Sequence, residues 1–263
     1  IPNPAYGKAA DMGVSTARIL PFIDQYEERA DKILVPRYYE ARLKKPALRE
    51  TTYTPTIKHT FTMKATPRNK LQVDAIEWLG QPLDARLMLR AGAGKTVVSL
   101  MAAAKAGIYP ILVVVHERAT LQQWINRIVE HTSLSEEDIG IVQGHKMTYP
   151  DKPITVAMMH TLALRGPSKW PNLQKWMKGG LVIYDEMDVF PAIKMQTCLS
   201  MFESVRWGLS ATHRQDGLQK ILNLHLGNRE FYRQGYQLKP TVVNCRIQVE
   251  GYLSKYKNLS RMI

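Results

Sequence analysis

Residues 87–100 read LMLRAGAGKTVVSL, and the rest of the chain supplies partners for this stretch. Its apolar start predicts a strand, its glycines a tight turn, and the residues from Lys95 onward a helix. In such a turn, backbone N–H groups surround phosphate oxygens, the lysine reaches the β- and γ-phosphates, and the threonine hydroxyl ligates Mg²⁺. We therefore predict that Lys95 is catalytic and that Thr96 is a Mg²⁺ ligand. The predicted phosphate-binding residues are Gly92, Ala93, Gly94, Lys95, Thr96 and Val97.

From residue 67 onward, short apolar runs alternate with helical patterns. The run ILVVV at residues 111–115 is typical of a strand that is buried on both faces. Strands that alternate with helices predict an α/β fold with a central parallel sheet and right-handed crossovers. Predicted strands cover residues 85–89, 111–115, 139–142, 154–158, 181–184 and 207–210, and predicted helices cover residues 69–79, 95–106 and 117–131.

Residues 1–65 differ from the rest, since they are rich in tyrosine, proline and mixed charge. We predict a small α+β accessory domain here, followed by an ATP-binding domain over residues 66–235 and a further segment over residues 236–263. The basic and aromatic residues of the first domain fit a DNA-binding surface or an ordinary solvated face. Predicted elements outside the ATP-binding domain are helices over 8–12 and 36–44, strands over 18–26, 32–35 and 241–249, and a strand pair or extended linker over 51–66.

The charge of the chain favours a polyanionic partner. There are 36 Lys and Arg residues against 23 Asp and Glu, a formal net charge of +13. Such an excess favours nucleic acid over a membrane surface, the alternative being a basic protein with no such partner. Cys198 and Cys245 lack metal-ligand spacing, so we expect neutral thiols in a reducing compartment. Without a signal peptide or a membrane-length apolar run, we expect a cytoplasmic protein and no membrane partner.

A second apolar strand, residues 181–184, ends in the acidic pair Asp185 and Glu186. Ligands of parallel sheets collect at the carboxyl ends of the strands, so these acids are expected beside Lys95. Nucleotide hydrolysis needs one carboxylate to hold Mg²⁺ and a second to polarise the attacking water. We therefore predict that Asp185 is a catalytic Mg²⁺ ligand and that Glu186 is the catalytic residue that positions water.

A third motif, LSATHRQDGL, occupies residues 209–218. In this order, GAGKT, DEMD and LSAT-x-R-x-DGL resemble the first motor domain of a superfamily 2 helicase or translocase. The most similar branch joins the eukaryotic transcription-repair translocase with phage branch-migration helicases, and the resemblance covers residues 66–225. It implies a RecA-like P-loop domain that uses ATP and Mg²⁺. It also implies that three residues couple the nucleotide state to the nucleic acid: Ser210, Ala211 and Thr212.

The same resemblance assigns further contacts. Gln72 stands where the family has an adenine-contacting glutamine, and residues 115–124 and 158–162 resemble two nucleic-acid-binding segments. For His160 we leave open a nucleic-acid contact or an ordinary strand-end histidine. One departure is Leu89, where the extended loop pattern has glycine or alanine. The implied nucleic-acid-contacting residues are His116, Arg118, Gln123, Thr161 and Arg214.

Superfamily 2 motors close their nucleotide site with a second RecA-like domain that supplies arginines, which are worth roughly 10³–10⁵ in rate in related phosphoryl transfers. Residues 236–263 are then expected to be the start of, or a linker to, that second domain. We expect the 263 residues to bind ATP but to hydrolyse it poorly, and not to unwind nucleic acid, alone. The predicted full-length protein is a monomeric ATP-dependent DNA helicase or translocase that remodels branched or duplex DNA in repair or recombination, by branch migration, in a bacterial or phage-infected cell. The alternatives are a restriction-system translocase subunit, an RNA helicase and a non-motor P-loop NTPase.

Overall fold

The computed structural model describes residues 1–12, 15, 23–29, 32–39, 60–192 and 194–233. The strands are β1 Glu27–Arg29, β2 Lys32–Leu34, β3 Ala85–Leu89, β4 Ile111–Val115, β5 Ile139–Gln143, β6 Lys146–Met147, β7 Ile154–Met158, β8 Leu181–Asp185, β9 Val205–Ser210 and β10 Glu230–Arg233. The α-helices are α1 Pro4–Asp11, α2 Lys70–Leu79, α3 Lys95–Ala106, α4 Arg118–His131, α5 Met159–Arg165, α6 Pro171–Met177, α7 Thr197–Ser200 and α8 Gln219–Leu226.

Strands β3 to β10 form one sheet in the spatial order β10–β3–β9–β8–β4–β7–β5–β6. Within the described part of the chain, neighbouring strands of this sheet run parallel except for β6, which pairs antiparallel with β5. The carboxyl ends of β3, β4, β7, β8 and β9 therefore lie at the same edge. The predicted α/β fold with a central parallel sheet is confirmed.

Helices cover both faces of this sheet. One apolar layer joins α2, α3 and α4 to the sheet, and the other joins α5, α6, α7 and α8 to its opposite face. Along β4, Val113 and Val115 face the first layer while Leu112 and Val114 face the second, and all four are fully buried. Fully burying such a side chain is worth about 1.5–3 kcal/mol. Among the described residues, no helix is both long enough and apolar enough to cross a bilayer.

Trp170 and Trp176 hold a surface helix to the sheet. Trp170 is buried, and its indole N–H donates to the Leu162 carbonyl oxygen at 3.1 Å. Trp176 packs half-buried against the same apolar layer. Cys198 is fully buried, and burial raises the pKa of its thiol to about 12, so the thiol is neutral as predicted. Cys245 lies outside the described residues.

The first helix of the N-terminal region is longer than predicted. Helix α1 begins at Pro4 rather than at residue 8, because the Asn3 side chain accepts the Ala5 N–H at 3.1 Å and caps the helix there. The described part of the predicted strand over 18–26 is not a strand. Its Ile23 instead exchanges two backbone hydrogen bonds with Ile1.

The hairpin of β1 and β2 includes the predicted strand at residues 32–35 and adds β1, which the pattern did not indicate. The predicted helix over 36–44 is wrong for its described residues, 36–39, which form a turn. The structure describes neither residues 40–44 nor 51–59. The described residues 60–66 are extended, with one bridge from Met63 to Thr132.

Asp84 holds the turn formed by residues 36–39. Its buried carboxylate lies 2.7 Å from an Arg37 guanidinium nitrogen and accepts the Tyr38 hydroxyl at 3.0 Å. The backbone N–H of Arg206, at the start of β9, donates to the same carboxylate at 2.8 Å. Tyr38 also donates its backbone N–H to the Leu224 carbonyl oxygen. These contacts fasten residues 37 and 38 to the amino-terminal edge of the sheet.

Strand β10 was missed by the sequence prediction, which ended the sheet at residue 210. It pairs parallel with β3, with Phe231 opposite Leu87. Of its four residues only Phe231 is buried, since this strand lies at the edge of the sheet. A mixed tetrapeptide of this kind carries no clear strand period. The predicted strand over 241–249 lies outside the described residues.

A pH-dependent stability follows from His225, whose imidazole lies 3.1 Å from the Gln25 side-chain oxygen. Burial, aided by Arg206 and Arg37, lowers the pKa of His225 from 6.5 to about 3. The unfolded chain therefore binds a proton below about pH 6.5 that the folded chain does not bind. On this account the free energy of unfolding is highest above about pH 6.5 and decreases as the pH falls toward 3, because only the unfolded chain gains the proton.

We expect the free energy of unfolding of the protein to fall by up to about 1.4 kcal/mol per pH unit on this account between about pH 6 and pH 4. The variant His225→Gln should lose this part of the slope, and His145→Gln, at an exposed position, should keep it. Urea denaturation at several pH values measures the slopes. Parallel slopes for the protein and His225→Gln would contradict the assignment.

Candidate functional site

The turn after β3 is the predicted phosphate-binding loop. Gly92 and Gly94 have φ values of 76° and 88°, a left-handed conformation that glycine adopts without strain. Helix α3 begins at Lys95, so the unpaired N–H groups and the positive end of its dipole face the loop. A Cβ atom on Gly94 would lie 2.6 Å from the Gln72 side-chain nitrogen. The two left-handed glycines and the helix start are features that suit a phosphate group, and the close approach of Gln72 leaves no room for a side chain at residue 94.

Gln72 holds this loop in place. Its buried side chain accepts the Arg68 backbone N–H at 2.8 Å and donates to the Ala93 carbonyl oxygen at 2.9 Å. Asn69 caps helix α2 by accepting the Gln72 backbone N–H at 3.0 Å. The residue that the resemblance assigns to adenine thus lies directly against the phosphate-binding loop.

Lys95 folds back over the end of β3. Its ammonium group donates to the Leu89 carbonyl oxygen at 3.0 Å. Burial lowers the pKa of Lys95, while the nearby Asp185, Glu186 and Asp188 raise it. Leu89, which departs from the extended loop pattern of the family, is the last residue of β3 and is fully buried. It therefore belongs to the core of the sheet and not to the loop. Thr96 and Val97 follow, half-buried, in the first turn of α3.

Asp185 ends β8 with both carboxylate oxygens held. The Trp124 indole N–H donates to Oδ2 at 2.7 Å, and the Glu186 backbone N–H donates to Oδ1 at 3.1 Å. Burial raises the pKa of Asp185, and the hydrogen bond from Trp124 and the charge of Lys95 oppose that rise. A partly desolvated carboxylate held in this way, close to a phosphate-binding loop, fits the donor that a nucleotide-bound Mg²⁺ requires.

Trp124 lies in the predicted helix over residues 117–131 and ends the segment 115–124 that resembles a nucleic-acid-binding segment. The structure adds that its N–H orients Asp185. One signal could have suggested this, since a buried tryptophan N–H needs an acceptor. The sequence does not say which acceptor, because 61 positions separate the two residues.

Glu186 and His116 lie side by side. The His116 Nδ1 is 3.2 Å from Glu186 Oε2, and its Nε2 is 3.4 Å from Glu117 Oε1. His116 directly follows β4, and Glu186 directly follows β8, which is the neighbouring strand. The structure therefore places the first of the predicted nucleic-acid-contacting residues beside the predicted water-positioning acid.

The predicted coupling segment contacts the acids after β8. The Ser210 hydroxyl donates to Asp188 Oδ1 at 2.8 Å, and the Thr212 backbone N–H donates to the Ser210 oxygen at 3.2 Å. Arg214 donates to the Asp188 carbonyl oxygen and pairs with Asp216, which lowers the pKa of Asp216. Arg214 thus belongs to this cluster, while Ala211 is exposed at the end of β9.

A groove of about 570 Å³ opens at the same edge of the sheet, beyond β5 and β7. Thr161 accepts the Gly144 backbone N–H at 3.0 Å on one wall, and the exposed Arg118 lies at the start of α4. Gln123 is exposed on α4 and is not part of the lining. The groove is lined by Arg118, Gln143, Gly144, Met158, His160 and Thr161.

The model of a family described as "Type III restriction enzyme, res subunit" matches residues 64–215. The chain belongs to this family. It is 33% identical over 134 residues to the "DNA 3'-5' helicase XPB" of Mycobacterium tuberculosis, covering 50% of this chain and 24% of that protein. It is 31% identical over 171 residues to the protein of the same name from Kineococcus radiotolerans, covering 61% of this chain and 30% of the relative. The chain thus spans about a quarter to a third of the length of these relatives.

The fold also matches solved helicase-type structures. One is the Sulfolobus solfataricus SWI2/SNF2 ATPase core in complex with dsDNA, with a TM-score of 0.51 and 18% identity over 63% of this chain and 36% of that chain. At this identity the likeness concerns the fold alone. The predicted RecA-like α/β fold is confirmed, and so is the resemblance to superfamily 2 helicases at the level of the superfamily.

The contact between Trp124 and Asp185 allows a direct test of the predicted Mg²⁺ site. We expect Trp124→Phe to weaken Mg²⁺-dependent ATP binding by about tenfold, because removing a group that orients a metal ligand costs roughly 10–100-fold. Titration of the chain with a fluorescent ATP analogue, with Mg²⁺ and with EDTA, measures this.

Trp207→Phe is the matched control. Trp207 is also fully buried, but its indole N–H donates at 3.0 Å to the Leu83 carbonyl oxygen, remote from the acids. We expect this variant to keep the Mg²⁺ dependence of ATP binding even if its stability falls. An equal loss of Mg²⁺-dependent binding in both variants would contradict the role given to Trp124.

Proposed function

We propose that this chain is the ATP-binding motor domain of a DNA helicase or translocase. The observation that carries the proposal is the arrangement at the carboxyl edge of the sheet. The opposite charges of Lys95 and Asp185 attract each other there. The groove with Arg118 and Thr161 opens at the same edge. A nucleotide site and a groove with basic and hydroxyl side chains on one rigid sheet are what an ATP-driven nucleic-acid motor needs.

In this proposal, the loop residues 92–97 and Lys95 bind the phosphates of ATP, and Gln72 holds the loop and contacts adenine. Asp185 and Thr96 would hold Mg²⁺, which would neutralise negative charge on the phosphates of ATP. Glu186 positions the attacking water. Ser210, Ala211 and Thr212 connect the site to the nucleic-acid surface, which is supported by the contact between Ser210 and Asp188.

The nucleic acid in this proposal is DNA, gripped through its phosphates without sequence preference. The net charge of +13 and the exposed Arg118 in the groove support a polyanion. Both bacterial relatives are named DNA helicases, and the SWI2/SNF2 core was solved with dsDNA. His116, Gln123 and Arg214 remain proposed contacts, although His116 and Arg214 also pair with acids of this chain.

The finer assignment follows the sequence motif. LSAT-x-R-x-DGL supports the branch of transcription-repair translocases and branch-migration helicases, so the proposed substrate is forked or branched DNA. A second RecA-like domain in the full-length protein is part of the proposal, as is action as a monomer. The description of the matching family favours one second candidate, the translocase subunit of a restriction system. ATP-dependent cleavage of duplex DNA by the full-length protein would favour that candidate.

The test is the ATPase rate of the full-length protein with single-stranded, duplex and forked DNA and with RNA. We expect DNA to raise the rate, with forked or duplex DNA the most effective. Lys95→Ala and Glu186→Gln should each lower the stimulated rate by at least about 100-fold, the size of effect typical of a group that acts on transition-state charge.

Equal rates with and without nucleic acid would overturn the motor assignment in favour of a P-loop NTPase of another kind. Preferential stimulation by RNA would replace the DNA assignment with the RNA helicase alternative.

A further inference from the structure

A second cavity, here called the side pocket, lies beside the nucleic-acid groove and has a volume of about 240 Å³. The turn at Gly144 connects the two cavities. Gly144 lines the groove, and its carbonyl oxygen accepts a hydrogen bond at 3.0 Å from the Arg165 guanidinium, which lines the side pocket. Helix α5 also serves both, with Thr161 in the groove and Arg165 in the side pocket. The polar lining of the side pocket consists of Tyr149, Arg165, Lys169 and Asn172.

All four of these polar side chains can donate hydrogen bonds. Arg165, Lys169 and Asn172 are exposed, and Tyr149 is half-buried. Burial raises the pKa of Tyr149, so its hydroxyl keeps its proton. Within the described ranges, the side chains of Tyr149, Lys169 and Asn172 make no hydrogen bond to another residue, and no acidic residue lines the pocket. The pocket therefore suits a ligand that accepts hydrogen bonds and carries negative charge.

Two contacts fix the Arg165 guanidinium at this pocket. One is the bond to the Gly144 carbonyl oxygen, and the other is the Trp170 ring, whose centroid lies 5.7 Å from Arg165 Cζ. Trp170 is itself buried and bonded to the Leu162 carbonyl oxygen at 3.1 Å. Neither contact neutralises the positive charge of Arg165. A guanidinium that is already held in place loses little side-chain freedom when it binds an anion.

The charge at the side pocket differs from that of other exposed cations. Several of those pair with acids: Lys70 with Asp74, Lys105 with Glu77, Arg127 with Glu130 and Lys178 with Glu203. In the part of the chain that the structure describes, no carboxylate pairs with Arg165 or Lys169. Residues 143–175 carry five lysines and arginines and one acid, Asp151. This surface therefore has uncompensated positive charge next to the groove, which favours a polyanion.

We propose that the side pocket binds a further backbone phosphate of the DNA that lies in the groove. This rests on the proposed function and extends its nucleic-acid site past the turn at Gly144. Arg165 and Lys169 donate to the phosphate oxygens, and Tyr149 and Asn172 supply neutral donors. The volume is below the roughly 300–1,000 Å³ typical of small-molecule sites, so it suits one phosphate group better than a whole nucleotide. Such a contact fixes the register of the strand and carries no sequence information.

The test is the affinity of the full-length protein for a fluorescent duplex, measured at several salt concentrations. The double variant Arg165→Gln with Lys169→Gln should bind about fivefold more weakly at about 0.1 M salt, whatever the sequence of the duplex. The slope of log affinity against log salt concentration should become less steep by about 1, since one phosphate contact contributes about 0.9. Binding of a fluorescent ATP analogue should be unchanged.

Three further variants complete the design. Arg127→Gln with Lys178→Gln is the charge-matched control, because both cations are exposed but already pair with acids, and it should keep the slope of the unmodified protein. Arg165→Lys retains the charge and should also keep the slope, which separates phosphate binding from a structural role of the guanidinium. Lys169→Gln alone leaves both contacts of Arg165 intact. It should still weaken DNA binding and reduce the slope if the double variant does not fold.

An unchanged slope in the double variant and in Lys169→Gln would overturn the phosphate site, and so would an equal change in the charge-matched control. Weaker binding of the ATP analogue with an unchanged DNA slope would overturn it in favour of a free nucleotide. These results would leave the proposed function standing as long as DNA still stimulates the ATPase rate. Equal ATPase rates with and without nucleic acid, in a protein that does not bind the duplex, would overturn the proposed function and the side-pocket site with it.

Discussion

The shared direction of the parallel strands is the constraint on which the rest of the structure depends. Because β3, β4, β7, β8 and β9 all run the same way, the residues that follow them meet at one edge of the sheet. Lys95, the acidic pair Asp185 and Glu186, and the groove at Arg118 are far apart in sequence and lie at one edge only for this reason. The cores on both faces of the sheet fix the strands rigidly enough for contacts of about 3 Å to be maintained between their ends.

Burial at this edge disfavours the charged forms of Asp185 and Lys95. Burial raises the pKa of Asp185 and lowers that of Lys95, so both charged forms are less favourable than in water. The hydrogen bond from Trp124 to Asp185 and the carbonyl acceptor of Leu89 for Lys95 offset part of that cost. In the proposed function, a polyphosphate with Mg²⁺ would supply compensating charge of both signs at this edge.

Much of this arrangement could be predicted from short-range patterns. The continuous apolar runs identified the buried strands, and the glycines with Lys95 identified the loop, because each signal lies within a few residues. The contacts of Trp124 with Asp185 and of His116 with Glu186 could not be predicted, since they depend on which strands are neighbours. β10 was missed for a related reason, because an edge strand with one buried residue has no hydrophobic period. The local pattern around Arg37 indicated a helix, but the described residues form a turn that contacts the buried Asp84 carboxylate, 47 positions away in sequence.

The central claim is that one domain carries a nucleotide site and a nucleic-acid groove that are energetically coupled. The most direct measurement is the affinity of the 263-residue chain for a fluorescent duplex, with and without a saturating non-hydrolysable ATP analogue and Mg²⁺. The account predicts a change in affinity of at least about fivefold, and an equal factor in the affinity for the analogue when DNA is added, since coupling between two sites is reciprocal. Duplex affinity that is the same with and without the analogue would contradict it.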